Sequence, residues 1–159
     1  MNHFELFELP VSFKIDRGKL AQKFFELQKK YHPDFFAQGT EHEQEQALEI
    51  SSQLNKALKI FKNQEETVKY VLQLKGLLEE EEKYQLPPAF LMEMMELNEE
   101  LSEDSARQIN EIEKKLYTAV QPIIENYDDA TGTTANLLKL KEYYYKKKYL
   151  QRILDRIDG

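Results

Sequence analysis

The tripeptide His32-Pro33-Asp34 combines two side chains that could do acid–base or metal chemistry with a residue that fixes the backbone. A histidine acts as a general base when a carboxylate orients it and a nucleophile lies within hydrogen-bond reach. No serine or cysteine lies within a few residues of the tripeptide, and His3 and His42 have no metal-ligand spacing with His32. We therefore expect no catalysis and no metal here. The tripeptide remains either a helix stop or a surface that another protein recognises.

The composition narrows the class of protein. The chain has 159 residues, 41% of them hydrophobic, which suits one large domain or two small ones. It has no cysteine, which excludes disulfides and thiolate metal sites. No Gly-rich phosphate loop and no metal-ligand spacing is present either, so we expect no metal and no cofactor. No 18-residue apolar run is present, and the first ten residues do not follow the pattern of a signal peptide. We expect a cytoplasmic protein without a membrane partner.

Charge is unevenly distributed along the chain. The net charge is −7, yet residues 14–30 contain six basic and two acidic side chains. A basic helix on an acidic protein could bind an acidic partner, or it could simply be a solvated helix face. Charge alone favours the solvated face.

Helical patterns cover almost the whole chain, and no alternating strand pattern occurs. Asp16 is placed to cap a helix, Thr40 and Glu43 form a capping-box pattern, and Pro88 is placed to begin a helix. Two further helices are expected at roughly 103–127 and 134–157. The expected apolar stripes of the first two long helices are Leu20, Phe24, Leu27 and Tyr31, and then Ala47, Ile50, Leu54, Ala57 or Leu58, and Phe61. The predicted class is all-α.

A polar segment at 76–87 divides the chain. It contains four consecutive glutamates and ends at two prolines, which indicates a linker between a domain at 1–75 and a helical bundle at 88–159. A solvated helix end explains the same residues equally well.

The helix that begins at Pro88 has more apolar side chains than one stripe needs. Phe90, Met94, Leu97 and Leu101 lie within about 60° of one another at 100° per residue. Leu91, Met92 and Met95 lie outside that stripe, and glutamates, including Glu96 and Glu99, border them. Another helix could cover these side chains, or they could bind a partner, because exposed apolar patches usually mark a binding site.

The last helix interleaves lysines with tyrosines. Leu137, Leu140, Tyr144 and Leu154 form one expected inward stripe, and Leu138, Tyr145 and Tyr149 lie on another face. Lysines between aromatic residues also suit nucleic-acid binding, but the sequence pI of about 5.1 disfavours it, and we expect no nucleic-acid partner.

Several phrases together resemble a known family. The segments "FELFELP", "LQKKYHPDFF", "SSQLNKALKIF", "KYVLQLKG" and "AFLMEMMELNEEL" follow in the order typical of HscB, the J-protein of iron–sulfur cluster assembly. The first phrases are similar to the J-domain of many DnaJ-type co-chaperones, and the last one distinguishes the HscB family. The resemblance covers essentially the whole chain.

The resemblance implies an architecture and two protein partners. It implies an N-terminal J-domain, a helical hairpin with an HPD loop, joined to a C-terminal antiparallel three-helix bundle. A J-domain stimulates the ATPase of an HscA/DnaK-type chaperone, and HscB proteins bind an IscU-type scaffold, so the chain would have no catalysis of its own. We expect a monomer or a weak dimer. The implied chaperone-binding residues are His32, Pro33, Asp34, Lys23, Lys29 and Lys30. The implied scaffold-binding residues are Leu91, Met92, Met95, Glu96, Glu99 and Tyr145.

Two departures from the family pattern stand out. Phe35 follows the HPD tripeptide where J-domains commonly carry Lys or Arg, and Gln64 and Thr67 replace the proline and arginine of a "P-x-x-R-A" segment. Two other functions remain open: a J-protein that recruits a different client, and a helical scaffold without a chaperone role.

Overall fold

The fold is entirely helical in residues 1–158, which are the residues that the computed structural model describes. Seven α-helices and one short 3-10 helix are present in that part of the chain, which confirms the all-α prediction. The helices are α1 His3–Leu6, α2 Arg17–Tyr31, the 3-10 helix Pro33–Phe36, α3 Glu41–Phe61, α4 Gln64–Leu74, α5 Pro88–Glu99, α6 Glu103–Asn126 and α7 Thr134–Asp158.

The chain forms two compact units. The first is Met1–Val71, and the second begins at Leu72. The segment 76–87 therefore groups with the second unit. The domain boundaries at 75 and 87 stay a prediction.

The first unit packs around aromatic side chains from α1 and α3. Phe4 and Phe7 are fully buried, and their rings lie 4.8 Å and 5.5 Å from that of Phe61. Helices α2 and α3 pack against each other, and the segment 32–40 joins them. Asp16 caps α2 by accepting the Lys19 N–H at 2.9 Å, as its position in the sequence predicts.

The stripes of this unit differ from the expected ones at a few positions. Leu20 and Leu27 are buried, whereas Phe24 and Tyr31 are only half-buried. In α3, Ser51 is buried and Ile50 is half-buried, and the Ser51 hydroxyl lies 3.4 Å from the Gln28 side-chain oxygen of α2.

The boundary between α3 and α4 is set by Asn63 and Thr67. The Asn63 side chain accepts the Glu66 N–H at 3.0 Å and so caps α4. The buried Thr67 hydroxyl lies 2.9 Å from both the Ile60 and the Asn63 carbonyl oxygens. These bonds close the helix break without the proline that the family pattern has there.

The second unit is built on α5, α6 and α7. Its core contains Phe90 and Met94 of α5, Ile109 of α6, and Leu150 and Ile153 of α7. Pro88 is the first residue of α5, as predicted. Leu101 does not belong to the buried stripe of α5, because the helix ends at Glu99. Its side chain is exposed.

The segment 76–87 has no helix, yet it folds against α7. Gly76 adopts a φ of 71°, a left-handed conformation that suits glycine after a helix end. Glu82 pairs with Lys141 at 2.6 Å, and the Tyr84 ring stacks on Tyr145. The alternative of a solvated helix end is therefore wrong for this segment.

Candidate functional site

The His32-Pro33-Asp34 tripeptide, called the HPD corner below, joins α2 to the 3-10 helix. His32 is the C-cap of α2 and donates its N–H to the Gln28 carbonyl oxygen at 2.9 Å. It is also the N-cap of the 3-10 helix, whose first residue is Pro33. Proline fixes its own φ and cannot continue α2, so the corner has a defined backbone before any partner arrives.

The side chains of the HPD corner contact each other at the surface. His32 Nδ1 accepts the Asp34 N–H at 3.2 Å, and it lies 3.6 Å from the Asp34 carboxylate. The first contact is a hydrogen bond of the neutral ring, and the second is too long to be one. Both side chains are exposed, so no nucleophile or buried base is assembled here.

The three lysines of the expected chaperone surface do not share one face of α2. At 100° per residue, Lys29 and His32 lie within about 60° of each other, whereas Lys23 and Lys30 lie roughly 100° to 180° away from both of them. Lys29 and Lys30 are exposed, and Lys23 is half-buried and pairs with Glu8 at 3.6 Å. The structure therefore groups Lys29 with the HPD corner and separates Lys23 from it.

The exposed side of α5 carries the second candidate site, called the methionine surface below. Its residues are Leu91, Met92, Met95, Glu96 and Glu99. Met92 and Met95 are 63% and 62% exposed, although methionine is usually buried. Leu91 is half-buried, and Glu99 is exposed like the two methionines. Within the described part of the second unit, no other helix covers the two methionines.

A groove adjoins the methionine surface. It has a volume of about 420 Å³ and lies between α5 and α6. Its lining is formed by Glu93, Glu96, Leu97, Gln108, Glu111, Ile112 and Lys115. Three glutamates and one lysine therefore give this side of the methionine surface a net negative charge.

Tyr145 lies against the segment 76–87. Its ring is 4.5 Å from that of Tyr84 and inclined by 9°, and its hydroxyl is 3.5 Å from the Glu82 carboxylate. Burial, followed by the charge of Glu82, raises the pKa of the Tyr145 hydroxyl, so the hydroxyl stays protonated at neutral pH. The hydrogen bond from Lys141 holds the pKa of Glu82 below its ordinary value. These contacts join Tyr145 to Glu82 and Tyr84, not to the methionines of α5.

The tyrosines of α7 do not form a continuous stacking surface. Tyr143 and Tyr144 are buried, and Tyr149 packs edge-on against Phe90 at 6.0 Å. Nucleic-acid bases stack on exposed aromatic rings, so this arrangement does not support the nucleic-acid alternative.

Residues 1–158 contain no group of three or more His, Asp or Glu side chains arranged to hold a metal ion. No helix in the same part of the chain is long and apolar enough to cross a bilayer.

Two contacts of these surfaces were missed in the sequence. Phe25 is exposed and its ring contacts the Lys29 ammonium, and Tyr84 is the stacking partner of Tyr145. Phe25 could have been found from its position, because it lies four residues before Lys29 on the exposed side of α2. Tyr84 gives no such signal, since its partner lies far along the chain.

Comparison with known proteins identifies relatives of both parts of the chain. Residues 86–158 match the family described as the HSCB C-terminal oligomerisation domain. The Co-chaperone protein HscB homolog of Photobacterium profundum is 34% identical over 154 residues, which cover 89% of this chain and 90% of that protein. The homolog of Vibrio vulnificus is 44% identical over 104 residues, which cover 65% of this chain and only 61% of that protein.

Solved structures agree with these relatives. The crystal structure of human co-chaperone protein HscB superposes with a TM-score of 0.75 at 26% identity, covering 99% of this chain and 81% of that chain. Chaperone HscB from Vibrio cholerae superposes with a TM-score of 0.61 at 29% identity, covering 99% of both chains.

Proposed function

Because this chain belongs to the HscB family of co-chaperones, we propose that it binds an IscU-type iron–sulfur scaffold and stimulates the ATPase of an HscA/DnaK-type chaperone. In this role it promotes transfer of the cluster to acceptor proteins and has no catalysis of its own. The iron–sulfur cluster is cargo of the scaffold, and a chain without cysteine offers no thiolate for it.

The HPD corner supports chaperone binding. Its backbone is fixed by Pro33 and by the two caps that His32 makes, so binding orders few bonds. Lys29 stands on the same face of α2 and would attract an acidic surface of the ATPase domain. Lys30 and Lys23 lie further round the helix and would act mainly by steering, because they are not aligned with the corner.

The methionine surface supports scaffold binding, and its two exposed methionines are the observation that carries this part of the proposal. Methionine side chains are flexible and polarizable, so they adapt to a partner surface. Glu96 and Glu99 would pair with basic side chains of the scaffold. Tyr145 would act indirectly in our proposal, because its ring is already stacked on Tyr84.

A steady-state ATPase assay with a DnaK-type chaperone, with and without an IscU-type scaffold, tests both halves. Asp34→Asn should abolish the stimulation and leave scaffold binding nearly intact. The triple variant Leu91→Ala, Met92→Ala and Met95→Ala should do the reverse. If both variants keep their fold and each loses ATPase stimulation and scaffold binding to the same extent, the assignment of the two activities to separate sites is wrong.

Two other outcomes decide between the remaining functions. Stimulation of the chaperone without any capture of an IscU-type scaffold in a pull-down indicates a J-protein for a different client. No effect on any DnaK-type ATPase indicates a helical scaffold without a chaperone role.

A further inference from the structure

Two large aromatic side chains stand exposed beside the HPD corner. Phe25 and Phe35 are 61% and 66% exposed, although phenylalanine is among the residues most often buried in folded proteins. The core of the first unit is built from other phenylalanines, including Phe4, Phe7 and Phe61. Folding therefore does not explain why these two positions are aromatic.

Each ring contacts a residue of the expected chaperone surface. The Lys29 ammonium lies 4.7 Å from the centre of the Phe25 ring, a cation–π contact. The Phe35 ring meets the His32 ring edge-on, with centroids 6.2 Å apart and planes at 73°. Phe25, Lys29 and His32 occupy one face of α2, because they lie within about 60° at 100° per residue. The two rings are therefore continuous with the HPD corner and Lys29.

We propose that Phe25 and Phe35 are docking residues that bind an apolar patch on the ATPase domain of the DnaK-type chaperone, next to the acidic surface that receives Lys29. The inference rests on the proposed function and refines its specificity. The complementary surface would place carboxylates beside aliphatic side chains. Phe25 also restrains the Lys29 ammonium, which reduces the ordering that binding would otherwise require.

Phe35 changes the physical character of this contact. The resemblance places Lys or Arg at this position in most J-domains, and a cation there would add a salt-sensitive charge pair. Apolar burial is little affected by moderate salt, whereas exposed charge pairs are screened over a Debye length of about 10 Å at 0.1 M. Docking through Phe25 and Phe35 should therefore persist at salt concentrations that weaken the contribution of Lys29.

The ATPase assay on the full-length chain tests the inference. Phe25→Ala and Phe35→Ala should each raise the concentration needed for half-maximal stimulation about tenfold, as for central contacts of a protein interface. Phe25→Leu and Phe35→Leu should retain most of the affinity, because they keep apolar area. Leu138→Ala is the matched control, since Leu138 is an exposed apolar residue of the second unit outside both candidate surfaces.

Asp34→Asn separates the inference from the proposed function. If Asp34→Asn abolishes stimulation but both Phe→Ala variants stimulate like the wild type, the inference is wrong and the proposed function is still supported. Stimulation that survives Asp34→Asn overturns the role of the HPD corner, and absence of stimulation by the wild-type chain overturns the proposed function.

Salt and self-association provide two further readouts. The loss caused by Phe35→Ala should be the same factor at about 0.05 M and 0.5 M salt, whereas the loss caused by Lys29→Ala should shrink as salt rises. A Phe35→Ala loss that also shrinks with salt would contradict an apolar contact.

Sedimentation tests whether the two rings instead bind a second copy of the chain. If the wild type is a dimer and both Phe25→Ala and Phe35→Ala make it monomeric, the proposal is overturned.

Discussion

The Tyr145 ring of α7 lies flat on the Tyr84 ring of the segment 76–87, 4.5 Å away and 9° from parallel. Offset stacking of this kind adds stability beyond the area that it buries. The pair attaches a segment without helix to the last helix of the second unit. Tyr145, which the family resemblance assigns to scaffold binding, therefore has a structural contact of its own.

Removing the Tyr145 ring should destabilise the second unit. Tyr145→Ala loses the stack on Tyr84 and should lower the free energy of unfolding by about 2 kcal/mol. Tyr145→Phe keeps the stack and loses only the hydroxyl contact with Glu82, so it should stay within about 0.5 kcal/mol of the wild type. Urea denaturation measures both. Scaffold binding that is weakened by Tyr145→Phe as much as by Tyr145→Ala would instead assign a direct contact to the hydroxyl.

The Glu82–Lys141 ion pair should make the free energy of unfolding depend on pH. The folded protein holds the pKa of Glu82 below its ordinary value of about 4.3, so its contribution is present above that pH and is lost as the pH falls through the folded pKa. Glu82→Gln should cost about 1 kcal/mol at pH 7, because both side chains are largely shielded from water.

The measurement is thermal unfolding of the wild type and Glu82→Gln at pH 7 and at about pH 3. The difference between the two proteins should shrink at the lower pH, because the contribution of Glu82 is lost as the pH falls towards and through its lowered folded pKa. A Lys141→Gln variant should show no further loss when combined with Glu82→Gln. A constant difference at both pH values would rule out the ion pair as its cause.

The Thr67 hydroxyl should account for part of the stability of the α3–α4 break. Thr67→Val removes the two contacts with the Ile60 and Asn63 carbonyl oxygens with little change in side-chain volume, and it should cost about 1 kcal/mol. Thr118→Val is the control: its hydroxyl bonds the Lys114 carbonyl oxygen at 2.8 Å, but on an exposed face. That variant should stay within about 0.5 kcal/mol of the wild type. Equal losses in the two variants would show that burial does not increase the contribution of the Thr67 hydroxyl to the free energy of unfolding.

Substitutions of neighbouring methionines of α5 should affect either the stability of the fold or scaffold binding. Met94 is fully buried, so Met94→Ala should cost about 2 to 5 kcal/mol of unfolding free energy. Met92→Ala and Met95→Ala remove exposed side chains and should cost less than about 0.5 kcal/mol, while they weaken scaffold binding. Calorimetric unfolding and a scaffold-binding titration compare the three. If Met92→Ala and Met95→Ala bind the scaffold normally, the methionine surface is not the scaffold-binding site.

Local signals in the sequence predicted the helices well. The caps at Asp16 and Thr40 and the start at Pro88 depend on residues within one turn, and each lies where it was expected. The apolar periodicity of α5 also put Met94 on the core stripe and Met92 and Met95 outside it, while it left open whether another helix covers these two. Helix geometry alone is enough for such statements, because it fixes the direction of every side chain on the helix.

Contacts between distant residues could not be predicted in this way. Lys23 pairs with Glu8, a residue in a left-handed turn with φ of 56°, and no helical pattern reveals that approach. Ser51 is buried where Ile50 was expected, and its hydrogen bond to Gln28 offsets the cost of burying the hydroxyl. The packing of Tyr84 on Tyr145 likewise depends on how the segment 76–87 folds back.

The double capping by His32 gives the HPD corner a fixed hydrogen-bond polarity. Because Nδ1 accepts the Asp34 N–H, the neutral imidazole carries its proton on Nε2, and the outer edge of the ring can only donate. In the proposed chaperone complex, a partner group at that edge would therefore have to accept a hydrogen bond, and a backbone N–H there would be repelled. The proposed binding at the HPD corner would thus depend on the direction of a single proton as well as on shape and charge.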